Sequence, residues 1–308
     1  MVLLNVCYEF VEDNFPEIFE RDQYLIISNR GTYAFLNMIG SLNHFESKRG
    51  NLDPKSSPYK RFEAIKGYLN DLLLGIECLT KEDEMYLLSS LGSGAEKIWF
   101  RRFQFIVNAK HKEYCPPDFI DWLERQDEEL QDSGRRLGTE IEKHIKASVI
   151  GTLKSLFGND WDIEIGAIQR ECESRAKGEI ERYYKEGFGR KEIPWTDMFF
   201  ITDYKKIIEK YWASMPEEPT SNFRCFAEEF SVDIGRGFKS KGDKIKWLSM
   251  FSSLRNNWAH AGTKEKGLNR DEVNLLQVIY GHLIGRKNVS ESKRRDSQNK
   301  TSRYKDHM

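Results

Sequence analysis

WLSMFSSLRNNWAHAG, residues 247–262, reads as one amphipathic helix. Trp247, Phe251, Leu254 and Trp258 recur at i, i+4, i+7 and i+11, so they share one narrow stripe. Ser240 or Asp243 suits the N-cap, and Gly262 suits the position just past the C-terminal end. At about 100° per residue, Asn256 and His260 lie one turn apart on the side opposite the two tryptophans, with Arg255 on the flank between. One side is committed to a core. A guanidinium, an amide and an imidazole are left for solvent, a ligand or a second subunit.

The neighbouring segments are also periodic. Residues 202–213 place Tyr204, Ile207, Ile208 and Tyr211 on one face behind Thr202 as cap. Residues 269–284 carry a full start signal, with Asn269 as N-cap, Glu272 closing a capping box and Leu268 against Val273 as a staple. Helices are expected as well at residues 167–186, 222–232 and 242–261. Residues 126–158 are charged at first, then amphipathic through Ile141, Ile145, Val149, Leu153 and Leu156. The domain boundary is placed inside QDSGRRLG, residues 131–138, where apolar residues are scarce and two glycines interrupt the pattern. A single long connecting helix fits the same residues.

Residues 1–130 form a mostly helical N-terminal region. Helices are expected at 2–11, at 32–44 through Phe35, Met38, Ile39 and Leu42, and at 59–79 through Phe62, Ile65, Leu69, Leu72, Leu73 and Ile76. Another, at 81–91, follows Thr80 as cap with an acid at Asp83. YLIIS, residues 24–28, suits a short strand, and residues 49–58 a loop. Residues 131–284 make up the second, helical domain. Residues 285–308 lose periodicity and hold eight basic residues against three acidic ones, a basic tail expected to be disordered.

Composition bounds what such a chain does. Its 308 residues suffice for two ordinary cores, and 39% hydrophobic content describes a globular protein. A net charge of −1 gives no global attraction to nucleic acid, so any such binding must come from local patches. Cys7, Cys78, Cys115, Cys172 and Cys225 are odd in number and free of CxxC spacing, which points to reduced thiols and away from a zinc site. The N-terminus carries acids where a signal peptide needs bases, and no apolar run approaches the roughly 20 residues of a membrane span. The expectation is a cytoplasmic protein without membrane contact.

Arg255, Asn256 and His260 have the form R-N-x-x-x-H near the end of a helix, with another helix after a short charged loop. Together with DYKKIIEKYW (residues 203–212), DKIKWLSMFSSLRNNWAHAG (243–262) and LNRDEVNLLQVIYGHL (268–283), this resembles the HEPN superfamily, in particular its Swt1-like members. The resemblance covers about half the chain, roughly residues 141–284. It implies a four-helix-bundle-like domain, commonly dimeric, with many members acting as metal-independent endoribonucleases whose Arg and His meet at the dimer interface. For this chain it implies Arg255, Asn256 and His260 as catalytic residues and RNA as substrate. It also implies a homodimer, no metal or cofactor, and a setting in phage defence or stress response. The residue types suit that chemistry. An RNA 2′-OH lies beside its own phosphorus, so its attack needs mainly proton transfer and charge stabilisation. A histidine titrates near neutrality, and an arginine presents a planar fork to phosphate oxygens.

Other readings stay open. Cations near a helix C-terminus are favoured by the helix dipole alone, and HEPN relatives include non-catalytic members, so an adaptor in a defence complex is the first alternative. A DNA-associated regulator is the second. Residues 27–42 and 91–104 (ISNRGTYAFLNMIGSL and LGSGAEKIWFRRFQ) resemble the C-terminal portion of DGQHR-domain proteins, found with DNA-modification and phage-defence systems, although the DGQHR residues themselves are missing here. The second segment puts glycines before a helix but lacks the Lys-Ser/Thr of a phosphate loop, which favours a tight turn. Lys97, Arg101 and Arg102, interleaved with Trp99 and Phe103, are candidate nucleic-acid contacts. Helical spacing favours a core position for Trp99, Phe103 and Ile106. His282 can approach His260 or sit on the surface. GRGFKSKGDK, residues 235–244, reads as a loop.

Overall fold

A computed structural model describes residues 2–20, 26–90, 94–189, 192–235, 237–259 and 267–285. Among these there are thirteen α-helices and no strand, so the protein is mainly α. Among the described residues no helix is long and apolar enough to cross a membrane. The chain divides into two units, Met1–Leu123 and Glu124–Met308.

The first unit holds α1 (Val2–Asn14), α2 (Pro16–Glu20), α3 (Asn29–Lys48), α4 (Pro58–Glu77), α5 (Lys81–Ser89), α6 (Ala95–Lys110) and the start of α7 (Pro117–Gln126). Three of its helices begin where side-chain oxygens receive the first backbone donors: Ser28 for α3, Ser57 with Pro58 behind it for α4, and Thr80 for α5. Phe35, Met38 and Leu42 of α3 meet Leu69, Leu72 and Leu73 of α4 and Trp99, Phe103 and Val107 of α6 in one core. Of the strand expected at 24–28, none is formed by the described residues 26–28. Residues 24 and 25 lie outside the described set, and Ile26 to Ser28 form a turn in which Ile26 is buried and Ser28 caps α3. A run of apolar β-branched residues is equally satisfied by one buried side chain in a turn, and the cap decides between them.

The second unit holds α8 (Glu128–Phe157), α9 (Gly166–Lys185), α10 (Ile201–Lys210), α11 (Phe226–Glu229), α12 (Lys241–Ala259) and α13 (Arg270–Tyr280), which widens into a π-helical turn at Gly281–Gly285. α8 packs against α10, α12 and α13. The core joins Ile141, Ile145, Val149 and Leu153 of α8 to Tyr204, Ile207 and Ile208 of α10, the α12 aromatics, and Val273, Leu276 and Ile279 of α13. No boundary falls inside residues 131–138, because α8 runs through them unbroken. The two glycines serve packing instead. A Cβ on Gly138 would lie 2.5 Å from Trp258 Cη2, and one on Gly134 would collide with the Leu268 side chain.

Two further elements differ from expectation. Thr202 is exposed and does not cap α10. Asp203, 1% exposed, accepts the Phe200 backbone N–H at 2.9 Å and the Arg175 guanidinium at 2.5 Å. The helix expected at 222–232 shrinks to the single turn of α11, because Phe226 and Phe230 are both buried as plugs and the Val232 N–H then bonds Lys244 O across to α12. The capping box at Asn269 and Glu272 is formed as expected.

Candidate functional site

α12 owes its orientation to its rings. Trp247, Phe251, Leu254 and Trp258 are all buried, with Phe251 5.6 Å from Trp258 and 6.4 Å from Trp247 between ring centroids. Trp247 also donates its indole N–H to Phe230 O at 2.9 Å, which fixes the ring along the helix as well as across it. Of the two N-cap candidates, Ser240 is the cap: its Oγ accepts from Asp243 N at 3.2 Å, while Asp243 Oδ2 accepts from Ser240 Oγ at 2.9 Å and from Lys239 N at 3.1 Å. Those bonds hold the Asp243 carboxyl below its ordinary 3.8, the serine hydroxyl contributing most.

With the aromatic stripe buried, the opposite side is turned outward. Asn256 is exposed, and Arg255 is half-buried with its Nε 3.7 Å from Glu142 Oε2 on α8. Among the described residues this is the one ion pair of Arg255. Glu142 is in turn close enough to Tyr204 to raise that buried phenol, after burial itself. The third member of the motif, His260, lies outside the described residues, as does Gly262.

The segment Gly267–Arg270 is clamped by α7, α8 and α13. The Gln131 amide behaves as a piece of backbone, donating to Leu268 O at 2.8 Å and accepting from Leu268 N at 2.7 Å. Glu272 is the hub beside it. Its carboxylate accepts from Arg125 Nη1 and Asn269 N, both at 2.9 Å, and from Asn257 Nδ2 of α12 at 3.4 Å. Glu124 completes the clamp by accepting from Arg270 N at 3.0 Å. The last turn of α12 and the first turn of α13 are therefore tied through one carboxylate. His282 is half-buried on the π-helical turn.

The second candidate group stands in the first unit. Lys97 is exposed on α6, but Arg101 is bound to Asp118 at 2.8 Å and to Gln104, and Arg102 to Asp83 at 2.7 Å. Trp99 and Phe103 are buried to 1% exposure, and the Trp99 N–H is donated to Leu87 O, so neither ring is open to a base. The rings that lie under these guanidinia are Phe100 and Phe105. Gly94, at φ 113°, supplies the left-handed turn that starts α6.

One cluster imitates a hydrolase triad and is not one. His144 Nε2 of α8 meets Glu229 Oε1 at 2.8 Å, and Ser148 Oγ lies 3.3 Å from the same nitrogen. A relay needs acid and nucleophile on opposite nitrogens of the ring. Here both crowd one, and Ser148 bonds Glu229 directly at 3.2 Å. The group ties α11 to α8. Among the described residues no group of three or more His, Cys, Asp or Glu side chains is placed to hold a metal ion. No protein-family model matches the chain, and no curated protein or solved structure matches it either.

Sequence reading missed Glu142, Gln131, Arg125 and Glu272. Glu142 sits next to Ile141 in a helix rich in charge, and nothing in that spacing marks it as the neighbour of Arg255. Glu272 was visible as a cap but not as the link to Asn257.

Proposed function

We propose that the protein is an endoribonuclease of HEPN type, acting on RNA through Arg255, Asn256 and His260 without a metal, in a defence or stress response. The observation that carries the reading is the disposition of α12: its aromatic side is buried while Arg255 and Asn256 face outward beside a carboxylate. In this mechanism His260 takes the proton from a ribose 2′-OH, whose oxygen attacks the adjacent phosphorus. Arg255 meets the charge that builds on the non-bridging oxygens. The 5′-oxygen leaves with a proton, from the same imidazole or from that of a second subunit, giving a 2′,3′-cyclic phosphate and a 5′-hydroxyl. Asn256, one turn before His260, orients the imidazole or bonds the phosphate.

The test is cleavage of single-stranded RNA by the full chain in the presence of a chelator, compared with His260→Ala and Arg255→Ala. Cyclic-phosphate ends made by wild type, and lost in both variants at unchanged thermal stability, support the reading. Equal cleavage by His260→Ala, or none by wild type, overturns it. The Arg255–Glu142 pair favours a second reading, a non-catalytic interaction module in which the guanidinium is already engaged. RNA binding without cleavage at any pH would select it.

A further inference from the structure

The exposed side of α12 carries more than the R-N-x-x-x-H motif. Lys246, Ser249, Ser253 and Asn256 follow at i, i+3, i+7 and i+10, and all four are exposed. The strip contains no large apolar side chain. At its midpoint α10 crosses: Lys205 Nζ donates to Ser249 Oγ at 3.0 Å, and Lys241 Nζ reaches Glu209 O at the far end of α10 at 2.7 Å. α12 holds three lysines and one arginine against a single acid of its own, Asp243, which is engaged by Ser240 and Lys239; the carboxylates that face it from elsewhere are Glu209, 3.9 Å from Lys205, Glu142, 3.7 Å from Arg255, and Asp233, which shares a pocket with Lys246. With Lys205 and Lys239 the cations number six against four acids, so in a chain whose formal charge is −1 this surface is net positive.

Resting on the reading of the site as an RNA nuclease, we infer that this strip is the track of the RNA backbone, along which Lys241, Lys205 and Lys246 seat the phosphates on one side of Arg255. The chemistry of the strip selects its occupant. Lysines, serine hydroxyls and an asparagine amide are all phosphate-binding donors. A lipid surface asks for a whole apolar face beside the cations, and Phe238, 44% exposed under Lys244, is a single ring. From Lys241 to Arg255 the helix rises about 21 Å, enough for a strand at the short end of the roughly 4–16 nucleotides that non-specific single-strand sites cover. The strand is single because attack by a 2′-OH requires the backbone to rotate until attacking and leaving oxygens lie in line, which a duplex resists. Lysine heads lie over the two rings at its edge, Lys241 over Trp212 and Lys244 over Phe238, each 5.7 Å from the ring centroid, so recognition is mainly of backbone rather than of base.

The experiment uses the full chain carrying His260→Ala, so that RNA stays intact, and a labelled 20-nucleotide single-stranded RNA titrated at several salt concentrations by fluorescence anisotropy. Changing Lys205, Lys241 and Lys246 together to Gln should weaken binding by roughly tenfold or more and reduce the slope of log K against log salt by about 2. Exchanging Lys55 and Lys60, exposed lysines of the first unit, for Gln should change neither. An unchanged slope in the triple variant overturns the track, and so does tighter binding to anionic lipid vesicles or to an acidic polypeptide than to RNA. Failure of the nuclease reading looks different: wild type would not cleave, while the triple variant would still lose RNA.

Discussion

If Gly138 is there to admit an indole, two glycine-to-alanine changes in the same helix must act in opposite directions. Gly151 lies on the exposed side of α8, with nothing within 4 Å of the Cβ it lacks. Alanine there gains the helix propensity that glycine forgoes, about 0.5–1 kcal/mol. At Gly138 the same backbone gain is offset because the added Cβ would lie 2.5 Å and 2.6 Å from Trp258 Cη2 and Cζ2. A fused ring cannot yield at its tip as an alkyl chain does, so α12 or the Trp258 rotamer must shift, an overpacking cost of about 1–3 kcal/mol. The two variants should therefore differ by about 1–3 kcal/mol, which for a unit of this size is a gap of several degrees, at about 2–4 °C per kcal/mol. Thermal unfolding of both single variants measures it. A double-mutant cycle sharpens it: with Trp258→Phe, whose ring is smaller, Gly138→Ala should recover most of its propensity gain. If Gly138→Ala raises the midpoint as much as Gly151→Ala, the close approach of α8 and α12 is not as described, and the orientation of Arg255 loses its basis.

Three other outcomes follow from particular contacts. Glu142→Gln removes a half-exposed ion pair, so stability should change by less than about 0.5 kcal/mol. RNA should bind about two- to fivefold tighter, read by the same anisotropy titration, and weaker binding would make Glu142 a positioning residue for Arg255 rather than a competitor. Asp243 has a depressed carboxyl, so its contribution is present at neutral pH and lost as pH falls through a value below 3.8. The melting temperatures of wild type and Asp243→Asn should accordingly differ at pH 7 and converge in acid. Tyr68 behaves in the opposite sense, its phenol pushed up to about 12 by burial and then by its bond to Glu46. Its contribution holds below the ordinary 10.0 and fades as pH rises through about 12, so Tyr68→Phe should cost about 1–2 kcal/mol at neutral pH and melt with less dependence on pH above 10.

Periodicity carried most of the fold. The stripes of α3, α4, α10, α12 and α13 are buried where the spacing of their apolar residues put them, because a helix has one side to hide and the sequence marks it. Glycine misled, since two of them in residues 131–138 look like a break when read along the chain. They are instead the points where Leu268 and Trp258, more than a hundred residues away, come closest to α8. Local sequence cannot separate a glycine that frees the backbone from one that clears room for a neighbour. The short apolar run before Ser28 misleads for a related reason, since at residues 26–28 one buried side chain and one capping hydroxyl outweigh β-propensity.

For the site, the sequence placed Arg255 and Asn256 on the outward face because the tryptophans determine which face is inward, an inference internal to one helix. What surrounds them was illegible, because it comes from other helices. Glu142 reaches Arg255 from α8, Lys205 reaches Ser249 from α10, and Glu272 ties Asn257 to the start of α13. Each is a charged residue on a polar helix surface, where the default reading is solvation and only geometry argues otherwise. The same logic separates the two basic groups of the chain. Arg101 and Arg102 looked as cationic as Arg255 in sequence, yet both are bound to carboxylates at hydrogen-bonding distance, whereas Arg255 meets its carboxylate at 3.7 Å and remains 41% exposed. A phosphate arriving at α6 must break short charge-assisted hydrogen bonds, while one arriving at α12 displaces only a loose pair. That difference in the strength of the existing partner, rather than the number of basic residues, is what favours α12 over α6 as the surface proposed to meet RNA.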